Sequence, residues 1–224
     1  MKRSALTLTL VAASAILASC ASTPAAGPMS FFVTSSNPGK GGDLGGLAGA
    51  DAYCQKLATD VGAGARTWRA YLSTPAKPAP GATPWGAAVD ARDRIGSGPW
   101  FNAKGVLIAK DVAHLHNGNH INKSTALDEK GNVVSGRGDA VNNHDMLTGS
   151  RADGTAFAPQ TDTTCGSWTK SGEGSAIVGH HDLIGPTADA WSKSWNFSHQ
   201  TQACSMEAFR RTGGAGQFYC FAAK

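Results

Sequence analysis

Gly45-Gly46-Leu47-Ala48-Gly49-Ala50-Asp51-Ala52-Tyr53-Cys54 opens the clearest helical pattern in the chain. Leu47, Ala50, Cys54, Leu57, Ala58 and Val61 recur at three- and four-residue steps, so they share one face, and Gly62 and Gly64 end the run. Cys54 is therefore expected on the buried face. Upstream, Phe31-Phe32-Val33-Thr34 is a short β-type run, set off from the helix by the turn Gly39-Lys40-Gly41-Gly42. Downstream, Trp68-Arg69-Ala70-Tyr71-Leu72-Ser73 alternates bulky and small residues like a strand, and the Pro-rich residues 75–84 read as a surface loop.

Further along, residues 100–108 read as two strand pieces around a Lys-Gly turn, and residues 175–180, 194–197 and 217–222 as short strands. Between Asp111 and Thr164 the apolar periodicity nearly vanishes and Asn, Asp, Gly, His and Ser dominate. A stretch of that length inside a domain is either functional or disordered. His144-Asp145-Met146-Leu147-Thr148-Gly149 carries apolar residues able to pin it to a core, so an ordered functional region is expected.

The N-terminus carries a different signal. Lys2 and Arg3 precede an almost uncharged apolar run, residues 4–17, too short to span a bilayer as a stable helix. Leu17-Ala18-Ser19-Cys20 resembles the lipobox of bacterial lipoproteins, which implies a signal peptide over residues 1–19 and lipidation of Cys20. Residues 20–30 then read as lipidated cysteine and flexible tether, and residues 31–224 as one folded domain. Loss of the two N-terminal charges would lower the formal net charge from +4 to +2, with no basic stripe, which argues against a nucleic-acid partner. The expected location is the cell envelope, at the outer membrane.

Glycine, 28 of 224 residues, exceeds the usual fraction of about 7%, and charged residues at 16% fall below the usual 25% or so, so a turn-rich domain is expected. With Cys20 assigned to lipid, Cys54, Cys165, Cys204 and Cys220 form an even set for two disulfides in an oxidising compartment. Spacing leaves all three pairings open.

The order of short motifs carries a resemblance: the Gly45–Cys54 helix opening, Trp68-Arg69-Ala70-Tyr71-Leu72-Ser73, Cys165-Gly166-Ser167-Trp168, Ser194-Trp195-Asn196, Cys204 and Tyr219-Cys220-Phe221. Together they resemble the endostatin-like branch of the C-type lectin fold, including the endostatin-like lipoproteins of spirochaetes. The resemblance implies an α+β domain with nested disulfides, Cys54 with Cys220 and Cys165 with Cys204, and a long polar insertion where ligands bind.

Calcium-dependent lectins need a Glu-Pro-Asn or Gln-Pro-Asp triplet and a Trp-Asn-Asp triplet; here no such proline triplet occurs and Phe197 follows Trp195-Asn196. His114 and His116, with His120, would share a face in a strand, whereas His180, His181 and Asp182 are consecutive and alternate. No metal ligand set and no cofactor is assigned on that basis. A hydrolase is the competing class, but no Gly-x-Ser-x-Gly or His-Glu-x-x-His motif supports it. Arg137-Gly138-Asp139, the tripeptide read by integrins on animal cells, is read here as a Gly-Asp turn, because three residues carry little information in a chain of this length. The resulting expectation is a non-enzymatic, lipid-anchored envelope module binding a glycan, an envelope polymer or a host matrix protein. Its ligand site is placed at Asn143, His144, Asp145, His181, Asp182, Trp195 and Asn196, which combine donors, acceptors and a flat ring. A structural envelope protein without a specific ligand is the alternative.

Overall fold

A computed structural model describes residues 27–76, 87–160 and 162–223. The residues expected as signal peptide, Cys20, most of the expected tether and most of the Pro-rich loop lie outside the described residues. No helix among the described residues is long and apolar enough to cross a membrane.

The architecture is α+β and is organised by its last strand. β1 (Phe31–Val33), α1 (Gly46–Asp60) and β2 (Trp68–Ala70) come first, followed by α2 (Ala91–Arg94) and the hairpin β3 (Trp100–Phe101) and β4 (Leu107–Ala109). Then come α3 (Val112–Asn117), β5 (Asp145–Leu147), the turn α4 (Cys165–Trp168) and β6 (Ile177–His180). A 3₁₀ turn at Trp191–Lys193, β7 (His199–Gln200), α5 (Met206–Thr212) and β8 (Gly214–Ala222) complete the domain.

The main sheet runs β1-β8-β5-β6-β7, with β2 also paired to β8. Cys220 lies opposite both Phe32 of β1 and Ala70 of β2, so those strands flank the same end of β8 on its two edges. Residues 214–218 pair in parallel with β5. Both faces of β8 are covered. Phe218 and Cys220 join a cluster with α1, Trp68 and Trp168, whereas Tyr219 and Phe221 join another with Phe31, Tyr71, Trp100, Ile108 and Trp195. Such two-sided burial explains why Gln217-Phe218-Tyr219-Cys220-Phe221-Ala222 is a nearly continuous apolar run.

Cys54 lies on the buried face of α1 and is bonded to Cys220; Cys165 is bonded to Cys204. The pairing is the one that the resemblance implies. Asp51, also in the opening motif, accepts from Arg69, from Arg94 and from the Ala70 backbone N–H, joining α1, β2 and α2.

Four expectations are corrected. Residues 111–164 are not a single irregular excursion, because they contain α3 and the central strand β5. β5 is three residues long and buried throughout, so it shows no alternation, and α3 buries only Leu115. Residues 194–197 form no strand: the Ser194 hydroxyl accepts from the Phe197 N–H and bonds Asn196 Oδ1, a local closure that competes with a ladder. His114 and His116 occupy α3, capped by Asp111, instead of a strand, so they diverge. Finally, α5 arises where the sequence reading had no element; Ser205 caps it and Ala208 and Phe209 anchor it.

Candidate metal centre

Strand register assembles a buried cluster of imidazoles and carboxylates. Asp145 on β5 lies directly opposite His180 on β6, so their side chains share a face. His199 on β7 lies opposite Val178, two residues before His180, and therefore joins that same face. His144 comes from the bend just before β5. Gly213 makes room for it: with φ +102°, an added Cβ there would come within 2.3 Å of the Asn142 amide and 3.0 Å of the His144 ring.

Three imidazoles converge on one oxygen. The Nε2 atoms of His144, His180 and His199 lie 3.2, 3.3 and 3.3 Å from Asp145 Oδ1. Oδ2 is satisfied by the Thr212 hydroxyl at 2.7 Å, yet Oδ1 is buried without a hydrogen-bond partner. Candidate ligand atoms of His144, Asp145 and His180 lie within 4.8 Å of one another, and the His144 and His180 rings stack with centroids 4.1 Å apart.

The opposite side of each ring decides its tautomer. His144 Nδ1 faces Asp182 Oδ1 at 3.3 Å, His180 Nδ1 faces the Ser192 carbonyl at 2.7 Å and His199 Nδ1 faces the Gln200 carbonyl at 3.1 Å. Each of these oxygens can only accept, so each Nδ1 carries the proton and each neutral ring turns an Nε2 lone pair towards Asp145. Lone pairs around a carboxylate repel unless a cation lies among them. Protonating all three rings instead would place three positive charges against two carboxylates, Asp145 and Asp182, at a site where His144 and His180 are each 1% exposed. A divalent ion removes the conflict, and outer oxygens on the Nδ1 atoms are the usual support of metal-bound histidine.

The outer carboxylate is poised to stay ionised: burial raises the Asp182 carboxyl, but contacts with His144 and the backbone N–H groups of Arg137 and Ile184 bring it to about 2.

Of the seven residues expected at the ligand site, His144, Asp145 and Asp182 meet here. Asn143 is half-buried and donates to the Ser135 hydroxyl at 3.2 Å. His181 points away, with Nε2 3.3 Å from the Ser135 carbonyl, as alternation demands. Trp195 is 5% exposed and packs on Tyr71, His116 and Tyr219, so its ring faces the core and not a ligand. Asn196 is 1% exposed, and its amide is consumed by the Tyr71 hydroxyl and the Arg151 and Ala152 carbonyls. His180 and His199 were not in the expected set. Their only signal in the sequence is residue type, because the register that joins them to Asp145 is a long-range property.

The other histidines do not converge. His114 and His120 rings pack edge to face, but His116 turns to the Tyr71 hydroxyl at 2.8 Å. Asp139 of the Arg-Gly-Asp tripeptide pairs with Lys123 at 2.5 Å and accepts from the Gly136 N–H, closing a turn. An open pocket of about 330 Å³ lies over the cluster, lined by Arg137, His144, His180, Pro186, Trp191, His199 and Thr212. A larger pocket, about 650 Å³, lies elsewhere, but its one carboxylate, Glu129, is already engaged by the Ser35 N–H and hydroxyl. No protein-family model matches the chain, and no curated protein is significantly similar to it.

Proposed function

We propose that this domain is a binding module built on a divalent transition-metal ion, held by His144, His180 and Asp145, with His199 beside them. The observation that carries the reading is the set of three Nε2 atoms around an unpartnered, buried Asp145 Oδ1, with every Nδ1 committed to an oxygen. Imidazoles with a carboxylate suit zinc and its late first-row neighbours, whereas calcium and magnesium need oxygen ligands.

The wider setting is the one that the sequence supports: an endostatin-like, C-type lectin-like domain, tethered by a lipidated Cys20 at the bacterial cell envelope. The order of motifs and the nested disulfides support the family, and the Leu17-Ala18-Ser19-Cys20 lipobox supports the anchor. The module acts by binding, with a glycan or extracellular protein as the expected class of partner.

The test is calorimetric titration of chelator-stripped protein with zinc, alongside metal analysis after dialysis. One ion per chain is expected, with His144→Ala and His180→Ala each weakening binding at least tenfold while the two disulfides and the far-UV spectrum persist. Folded protein that takes up no zinc, or that binds it equally well without His144 and His180, would refute the proposal.

A further inference from the structure

Resting on that metal reading, we infer that the ion is the floor of a receptor site for a carboxylate on a flat, ring-bearing body. The carboxylate would occupy the ion's outward coordination position and pair with Arg137.

The direction of access follows from the layers of the site. The pocket touches the three imidazoles and Thr212, and Asp145 is not among its walls. Thr212 holds Asp145 Oδ2 from the side of α5, so the carboxylate is the inner ligand. The gradient of exposure agrees: the side chains of Asp145, His144 and His180 are 2%, 2% and 1% exposed, and that of His199 is 28% exposed. An ion among these groups has Asp145 behind it, imidazoles around it and the pocket in front. With His144, His180 and Asp145 as its protein ligands, zinc keeps an open fourth position on such a face.

Charge selects the ligand. A divalent ion with three neutral imidazoles and one carboxylate keeps a net positive charge, and Arg137 adds another at the rim. Arg137 has no acidic partner among the described residues within ion-pair distance. Its backbone N–H donates to Asp182 Oδ2 at 2.7 Å, and Oδ1 of the same carboxylate receives His144 Nδ1. One buried carboxylate thus orients a metal ligand and sets the backbone from which the guanidinium reaches. A guanidinium beside a Lewis-acidic ion suits a carboxylate, which can give one oxygen to each.

Shape selects the rest of the ligand. Trp191, 39% exposed, and Pro186 form the remaining walls, and they offer flat apolar faces to a ring. Aromatic acids and uronic acids share this chemistry, and the test separates them.

Full-length folded protein, stripped and reloaded with cobalt(II), is titrated with benzoate and, separately, with glucuronate. The visible absorption reports coordination to the ion, and calorimetry on the zinc form gives affinity. The expected result is a saturable change in the cobalt spectrum with at least one of the two acids, and no change with benzamide. Arg137→Gln should weaken that affinity about tenfold while leaving zinc affinity unchanged, and Trp191→Ala should weaken it without altering the cobalt spectrum of the ligand-free protein. Preference for benzoate assigns an aromatic acid, and preference for glucuronate a sugar acid. Metal-loaded protein that responds to neither acid, or that binds them equally with Arg137→Gln or without metal, would overturn the inference and leave the metal centre standing. Failure to bind zinc or cobalt at all would remove both.

Discussion

Replacing Asp51 by Ala should cost far more than its position in an Ala-rich helix suggests. Its carboxylate accepts from Arg94 Nη2 with both oxygens, at 2.9 and 2.7 Å, from Arg69 Nη1 at 3.1 Å and from the Ala70 N–H at 3.0 Å. The side chains of Asp51 and Arg94 are each 11% exposed, and that of Arg69 is 43% exposed. Removing the carboxylate leaves the Arg94 guanidinium buried with the Ala70 carbonyl as its remaining partner, and breaking such a pair costs about 3 to 5 kcal/mol. At about 2 to 4 °C per kcal/mol for a domain of this size, the melting temperature falls by about 6 to 20 °C. Arg94→Ala should approach the same loss, because it strips the carboxylate of its two shortest contacts. Arg69→Ala, at an exposed position, should lose no more than about 1 kcal/mol. Thermal and urea unfolding of the oxidised protein, followed by circular dichroism, measures all three variants. Losses below about 1 kcal/mol for Asp51→Ala, or equal losses for Arg69→Ala and Arg94→Ala, would refute the reasoning.

The two disulfides should rank by the loops they close. Removing Cys54–Cys220, separated by 166 residues, costs about 5 kcal/mol in the chain-entropy account, and removing Cys165–Cys204, separated by 39, about 4. Urea midpoints of the paired Cys→Ser variants check the order, which reversal would contradict. Asn196→Ala should destabilise by about 1 to 3 kcal/mol, because the Tyr71 hydroxyl and two backbone carbonyls lose their shared donor; a neutral result in thermal unfolding would return Asn196 to the ligand surface. Burial lowers the pKa of His116 below the ordinary value. The unfolded chain therefore takes up a proton near pH 6.5 while the folded ring stays neutral, and stability falls as pH drops through that value. His116→Gln, which keeps an acceptor near the Tyr71 hydroxyl, should flatten the profile between pH 7 and 5; an unchanged slope would assign the dependence to other groups.

What could be read in advance is what local chemistry dictates. The Leu47-to-Val61 periodicity specifies α1 and the burial of Cys54, and the unbroken apolar run at residues 217–222 specifies a strand covered on both faces. The Lys-Gly turn specifies the β3–β4 hairpin. Short elements escaped because three buried residues, as in β5, carry no period, and because Ser194 and Asn196 close a local turn that looks extended in sequence. Trp195 shows the limit of residue type: a tryptophan beside polar groups suits a ligand face and a core equally, and the 5% exposure decides for the core.

The sequence by itself determined that the chain builds an α+β domain with an even cysteine set, and it singled out His144 and Asp145 of the candidate site in the polar middle segment. Alternation separates His181 from His180, but the sequence reading placed His181 and not His180 at the site. The tertiary structure alone decided which histidines meet. Asp145, His180 and His199 are joined by pairing across three strands that lie up to 54 residues apart in the chain, and His144 enters through the space left by Gly213. The register of a strand is set by contacts distributed over the whole sheet, so no local pattern around any one histidine encodes its partners.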